Sequence, residues 1–390
     1  MKNFKFILTS VAVAALVAGC GGGNDPKVTF SSVVSFGDSL SDAGTYRVGT
    51  VAQLGGGKFT VNSAADKNDK TWTEALAASL GAPAQCAAQT GLLPNNGVTG
   101  AAVVNIAACN NYAQGSSLVT AVGSGPNGVA LQKAPFNQVN LGLIADSIQN
   151  QVNRHTAKVG TFSGGELVTV NGGGNDFFMQ LGAVGAAAAG GAAAAGSGTI
   201  AGWPAATITT VSVGGAAAGN AATAAAVAAM GQAGAELASY VKTLIIGKGA
   251  KYVLVRNLVD LNNTPLGATF DAGTKQLSTA MVNAFNTQLA QGLAGVVGIY
   301  LLDDFARGQA IAANPAGAGF TNIARPNCGP DAFSAPGDVV GSSIVCTAKT
   351  LIAGDTSKYA FADSVHPTPY AHQLTADFTI ELLRKAGVNI

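Results

Sequence analysis

The chain is 390 residues long, 48% apolar and only 11% charged, with 52 glycines, and its 21 basic and 20 acidic side chains nearly cancel. That length fits one large α/β domain with insertions and does not demand a second domain. There is no basic block and no aromatic-basic interleaving, which argues against nucleic-acid binding, while a neutral surface of small polar side chains suits an exported protein that meets apolar or neutral material.

At the N-terminus Lys2 and Lys5 precede an apolar run from Phe6 to Val17, too short to span a bilayer comfortably, which reads as an export signal. The run ends Leu16-Val17-Ala18-Gly19-Cys20 and resembles a bacterial lipoprotein cleavage box, in which the cysteine receives lipid. An ordinary secretory signal with an incidental Cys20 is the alternative. On the lipoprotein reading residues 1–19 are removed, residues 20–28 form a flexible glycine-rich tether, and the body that follows is close to neutral. Gly21 lacks the acidic side chain that resembles an inner-membrane retention signal, so the expected location is the cell envelope at the outer membrane, with secretion as the alternative. Cys86, Cys109, Cys328 and Cys346 then make an even set, and an oxidising compartment allows two disulfides. Three pairings are open; Cys86 with Cys109 and Cys328 with Cys346 is preferred, because each closes a short segment rich in Gly, Pro and Asn. Without Cys-x-x-Cys or ligand-spaced histidines, no metal site is expected.

The stretch Val33-Val34-Ser35-Phe36 predicts a buried strand that stops at Gly37, where glycine gives the backbone freedom and Asp38-Ser39 opens the next helix. A serine there sits at the carboxyl edge of a parallel sheet, where α/β proteins place chemistry, although serine is equally at home as a helix cap. Asp42 to Asn68 reads as a long loop, and Thr71 to Leu80 as a helix with Trp72, Leu76 and Leu80 on one face. Cys86 to Val103 reads as loop again. Asn110 to Ser117 reads as a short strand entering a turn at Gly115, which is either a plain turn or a means of aiming an amide at a developing oxyanion. Residues Phe136 to Val152 look helical, and His155, beside Arg154 and Lys158, reads as a solvated surface histidine.

A second buried strand, Leu167 to Asn171, repeats the first pattern by running into Gly172-Gly173-Gly174-Asn175-Asp176. The Asn175 amide would lie at the same sheet edge as Ser39, able to donate to an oxyanion. Gly-x-Gly-x-x-Gly spacing is absent, which sets aside a dinucleotide site, and no cofactor is expected. Leu181 to Ala235 contains no charged residue and is mostly Ala and Gly; one or two loosely packed helices around a flexible centre are expected. The segment is a tolerated low-complexity insertion or, alternatively, a mobile cover over an acyl groove. A helix from Glu236 to Ile246, a strand from Lys251 to Val255, a helix with Leu277, Met281, Phe285, Leu289 and Leu293 on its core face, and a strand from Val297 to Leu302 follow. This alternation predicts a parallel sheet. Asn314 to Thr356 is a long polar connection. Phe361 to Tyr370 is a loop that two prolines keep out of the final helix, Tyr370 to Lys385, and His372 within that helix reads as structural. Asp363, three residues before His366, can fold back so that its carboxylate meets the imidazole Nδ1 and leaves Nε2 free.

These blocks together resemble the GDSL-type, or SGNH, family of serine esterases and lipases: Gly37-Asp38-Ser39-Leu40, Gly115, the Gly-x-Asn-Asp of 173–176 and Asp363-x-x-His366 occur in the family's order, and the similarity runs from about Thr29 to the C-terminus. Within the family the chain looks most like secreted bacterial lipases and phospholipid-active esterases whose catalytic domain also occurs as an autotransporter passenger. The resemblance implies a three-layer α/β/α sandwich with a flavodoxin-like, mainly parallel sheet over residues 29–390, carrying the insertion 181–235. It implies Ser39 as nucleophile, His366 as base, Asp363 as its orienter, and an oxyanion hole from the Ser39 and Gly115 amides and the Asn175 side chain. The expected activity is carboxylic ester hydrolysis through an acyl-enzyme on an ester or lipid substrate, with membrane attachment through lipidated Cys20. Carbohydrate deacetylation, phospholipid acyl hydrolysis or acyl transfer, and a non-enzymatic ligand-binding envelope lipoprotein are the alternatives; oligomeric state is left open.

Overall fold

The computed structural model describes residues 27–63, 69–94, 97–120, 144–334 and 336–390; the expected leader over residues 1–19, Cys20 and most of the expected tether lie outside them. Four strands, β1 (Val33–Phe36), β4 (Leu167–Val170), β5 (Tyr252–Arg256) and β6 (Ile299–Leu302), form one parallel sheet in the order β1-β4-β5-β6. Beyond β1 the chain at Asn111 runs parallel to it, the Ser35 amide donating to the Asn110 carbonyl and the Tyr112 amide to the Ser35 carbonyl. β1 and β4 are buried at every position, as a strand covered on both faces requires.

The pleat divides the core in two. Val33, Leu167 and Leu254 face a layer made by α2 (Trp72–Ser79) and α11 (Pro369–Lys385), packing with Trp72, Leu76, Ala376 and Leu383. Val34, Val168, Val253 and Val255 face the other way, against α3 (Ile148–Val159), α7 (Gly215–Tyr240) and α9 (Ala272–Leu293), through Ile148, Val152, Leu237, Met281, Phe285 and Leu289. The result is an α/β/α sandwich. Short helices α1 (Gly49–Gln53), α8 (Pro265–Ala268) and α10 (Asp304–Ala313) punctuate the connections. Two disulfides, Cys86–Cys109 and Cys328–Cys346, close the loop-rich segment beside β1 and the last long connection.

Several local expectations change. The segment 86–103 is not all loop: β2 (Gln89–Leu92) pairs antiparallel with β3 (Ala101–Asn105). Its signal is weak because β3 leaves most of its side chains exposed and glycines and prolines interrupt the alternation. Asn110–Ser117 is no regular strand, only the bridge at Asn111. The helix expected over 136–152 begins at Ile148, capped by the Ser147 side chain, and continues to Val159; residues 136–143 lie outside the described part. His155 is therefore on a helix, and it is buried rather than solvated, its ring packed among Phe36, Tyr112 and Phe162.

The alanine-rich segment is also more ordered than expected. α4 (Gly174–Ala187), α5 (Gly191–Ile200), α6 (Ala205–Val213) and the long α7 form a helical lobe rooted at the carboxyl end of β4. Ala is the strongest helix former, and its small side chain lets helices approach closely: Ala218, Ala222 and Ala226 of α7 are fully buried. Trp203, held by a 2.6 Å hydrogen bond from its Nε1 to Gln180 Oε1, plugs the turn before α6. The helix expected from Glu236 is the end of α7, finishing in a π-turn over Val241–Ile245.

Candidate active site

Ser39 follows the carboxyl end of β1, where the chain makes a tight turn rather than a helix: the Ser41 amide donates to the Asp38 carbonyl and the Leu40 amide to Asp38 Oδ1. Gly37 has no left-handed backbone. It must be glycine because a Cβ there would lie 2.3 Å from Asn171 Oδ1. Asn171, at the end of β4, donates from Nδ2 to Asp38 Oδ1 at 2.7 Å and accepts from the Ser41 hydroxyl, which in turn accepts from Trp72 Nε1 at 2.9 Å. From α3, Gln151 grips both ends of the Gly37 residue, accepting from its amide at 2.8 Å and donating to its carbonyl at 2.9 Å. The turn is thus fixed from both helical layers of the sandwich.

His366 arrives from the other end of the chain, 2.9 Å from Ser39 Oγ through Nε2. Its Nδ1 faces the Asp363 carboxylate at 2.8 and 3.0 Å, and that contact assigns the proton to Nδ1 and leaves Nε2 as acceptor. Asp363 folds back because its Oδ1 caps the Val365 and His366 amides, while Oδ2 accepts from the Ser343 amide at 3.1 Å. Burial opposes the Asp363 charge, but the facing imidazole and these donors hold the carboxyl well below the usual carboxylate range. For His366 burial disfavours the cation, and the Asp363 charge and hydrogen bond, with Asp38 behind them, more than offset this and raise its pKa.

Asn175 sits in the first turn of α4, half-buried; one of its amide hydrogens goes to the Ser117 carbonyl at 3.0 Å, which leaves the second for another acceptor. Gly115 does not fit the role expected of it. Its amide points into the protein, donating to Asp42 Oδ2 at 3.0 Å, and its carbonyl accepts from Tyr46 Oη. The next residue, Ser116, has φ +69°, unique among the described non-glycine residues, and among the described residues neither its amide nor that of Ser39 has a hydrogen-bond partner. Asp42 is a fully buried carboxylate whose pKa burial raises to about 6, partly offset by the Thr45, Gly115 and Gly44 amides it accepts. Sequence reading missed Asp42 and Ser116, and the only local sign was the conspicuous polar-glycine run around them.

Among the described residues no group of three or more His, Cys, Asp or Glu side chains is placed to hold a metal ion. His372 is buried inside α11, with burial and the nearby Arg256 lowering its pKa to about 3. It takes no part in the Ser39 cluster.

One family model, GDSL-like Lipase/Acylhydrolase, aligns with residues 33–378, a span that includes Ser39, Asp363 and His366. The chain belongs to that family. Membership indicates a hydrolase and accounts for the three-layer fold. No curated protein matches the chain.

Proposed function

We propose that this GDSL-family member is a carboxylic ester hydrolase that works through a covalent acyl-enzyme on Ser39. The observation that carries the reading is the continuous chain Ser39 Oγ, His366 Nε2, His366 Nδ1, Asp363, with contacts of 2.9 and 2.8 Å, assembled from segments more than 300 residues apart. A hydroxyl is a weak nucleophile until a base within hydrogen-bond reach takes its proton, and His366 has its free lone pair at that place. As Oγ attacks the ester carbonyl carbon, its proton passes to Nε2, and Asp363 stabilises the resulting imidazolium. The carbonyl oxygen becomes an oxyanion that the Ser39 amide, the second amide hydrogen of Asn175 and, in place of Gly115, the Ser116 amide are disposed to receive. Each such donor contributes roughly 3 kcal/mol to lowering the barrier. Collapse expels the alcohol, which takes the proton from His366. Water, deprotonated by the same imidazole, then releases the acid and restores Ser39.

The substrate class we infer is an ester with an apolar acyl chain, because residues 177–235, rooted at the edge that holds Ser39, carry no charge. With the leader and Cys20 we place the enzyme on the cell envelope, anchored by lipid at the outer membrane. Hydrolysis of a chromogenic ester series from acetyl to palmitoyl, with Ser39→Ala in parallel, tests the reading. Serine-dependent activity peaking at medium or long chains is expected. A peak at acetyl would favour a deacetylase, and activity equal in Ser39→Ala would overturn the mechanism.

A further inference from the structure

The Gly115 amide is engaged by Asp42, so the requirement for glycine at this position needs another cause. That cause is an aromatic ring. A Cβ on residue 115 would lie 2.2 Å from both Cε2 and Cζ of Phe59, and 3.2 Å from Tyr46 Cε2. The ring of Phe59 is itself packed on the imidazole of His366, with centroids 5.0 Å apart and planes tilted by 36°. Behind it, Tyr46 meets Phe59 edge-on at 6.0 Å, and Tyr46 Oη donates to the Gly115 carbonyl at 2.9 Å while accepting from the Ala145 amide at 3.2 Å. The segment is tied to the histidine loop as well, since the Thr60 hydroxyl donates to the Pro367 carbonyl at 2.9 Å. Phe59 is thus wedged between the Gly115 turn and the imidazole, buried to 6% exposure.

We propose that Phe59 is a positioning residue for the His366 imidazole, and that residue 115 is glycine in order to leave room for the Phe59 ring. The inference rests on the reading of His366 as the base. Asp363 holds one edge of the imidazole, but the last torsion of a histidine is broad, so a hydrogen bond at Nδ1 alone leaves the ring able to rock. A flat apolar surface against its face removes that freedom and keeps water from the Nδ1 contact, which strengthens it. Nε2 then stays aligned with Ser39 Oγ, and misplacement by about 1 Å at such a contact costs on the order of 100-fold in rate.

The test compares the wild-type protein with Phe59→Leu, Gly115→Ala and the double variant. Leucine lacks the Cε2 and Cζ atoms that a Cβ at residue 115 would strike. Turnover of p-nitrophenyl butyrate is measured after counting functional sites with a fluorophosphonate, and thermal unfolding reports the folded state. Phe59→Leu should lower kcat by about 10- to 100-fold with KM nearly constant, since ring placement acts on the reacting step rather than on binding. Gly115→Ala should lower kcat at least as much alone, yet cost almost nothing when added to Phe59→Leu, because its methyl group occupies the emptied space. Wild-type kcat in Phe59→Leu would overturn the proposal, as would an equal penalty for Gly115→Ala in both backgrounds. If Gly115→Ala alone does not fold, the double variant decides: a folded protein as active as Phe59→Leu supports the proposal, and an unfolded one refutes it. Ser39→Ala and His366→Ala run alongside; full activity in these would instead refute the base and nucleophile assignment.

Discussion

Replacing His155 by leucine tests the core of the sandwich where the structure departs most from a surface reading. The ring is 3% exposed, lies 4.8 Å from the Phe162 ring, 5.2 Å from Tyr112 and 5.6 Å from Phe36, and has no hydrogen-bond partner on Nδ1 or Nε2 among the described residues. Each unpaired buried nitrogen costs about 1–3 kcal/mol, against about 0.5–1.5 kcal/mol for an aromatic contact that leucine forfeits. His155→Leu, close in volume, should therefore stabilise the protein by about 1–2 kcal/mol at pH 7.5. Burial, with the Lys158 charge, lowers the His155 pKa from 6.5 to about 4, against a weaker opposing pull from Glu166. The unfolded chain then binds a proton that the folded one refuses between those values, so the wild-type loses stability as pH falls from about 6.5 to 4. The variant is spared that loss, and its advantage should grow by on the order of 3 kcal/mol over the same range. Urea unfolding at pH steps from 7.5 to 4 measures the difference directly. A constant difference, or destabilisation by leucine at every pH, would refute the claim that this histidine is a neutral core residue.

Four further outcomes are expected. The acid limb of kcat/KM should have its midpoint above the ordinary imidazole value, because Asp363, aided by Asp38, raises the His366 pKa despite burial; activity is lost as pH falls through that midpoint. Asp363→Asn should lower kcat by about 1,000- to 10,000-fold with little change in KM, by presenting the wrong tautomer to Ser39. Ser116→Gly should keep kcat and raise unfolding stability by about 1 kcal/mol, since glycine adopts the φ of +69° without strain. Cys328→Ser with Cys346→Ser should reduce kcat even where thermal unfolding shows a folded protein. The Cys328 amide pairs with the Ala362 carbonyl, and Cys346 ends the turn whose Ser343 amide holds Asp363, so the disulfide braces the catalytic carboxylate from two sides.

The parallel sheet was legible because its strands are short, mostly apolar and β-branched runs, Val33–Phe36 and Leu167–Val170 among them, broken only by Ser35 and Thr169 and each ending in a glycine or a polar turn. The Asp363 to His366 fold-back was legible for a local reason: a three-residue spacing, with Pro367 and Pro369 just after it keeping the segment out of α11, leaves the carboxylate few other places to go. What sequence spacing did not convey was direction and depth. Whether an amide at residue 115 or 116 points outward depends on Asp42, seventy-odd residues upstream, and no periodicity carries that information. His155 follows a polar pair, Asn153-Arg154, that hides its place on the inner face of α3. Phe59 lies in a glycine-rich loop without helical or strand patterning, so its contact with His366 emerges only when distant segments fold together.

The central claim, that Ser39 is activated by His366 and carries the acyl group, is tested most directly by trapping that serine. Brief exposure of the purified protein to a fluorophosphonate, followed by peptide mass spectrometry, should give one adduct, on Ser39, formed at least about 100-fold more slowly in His366→Ala as the base is lost. An adduct elsewhere, or labelling of Ser39 at an unchanged rate without His366, would contradict it.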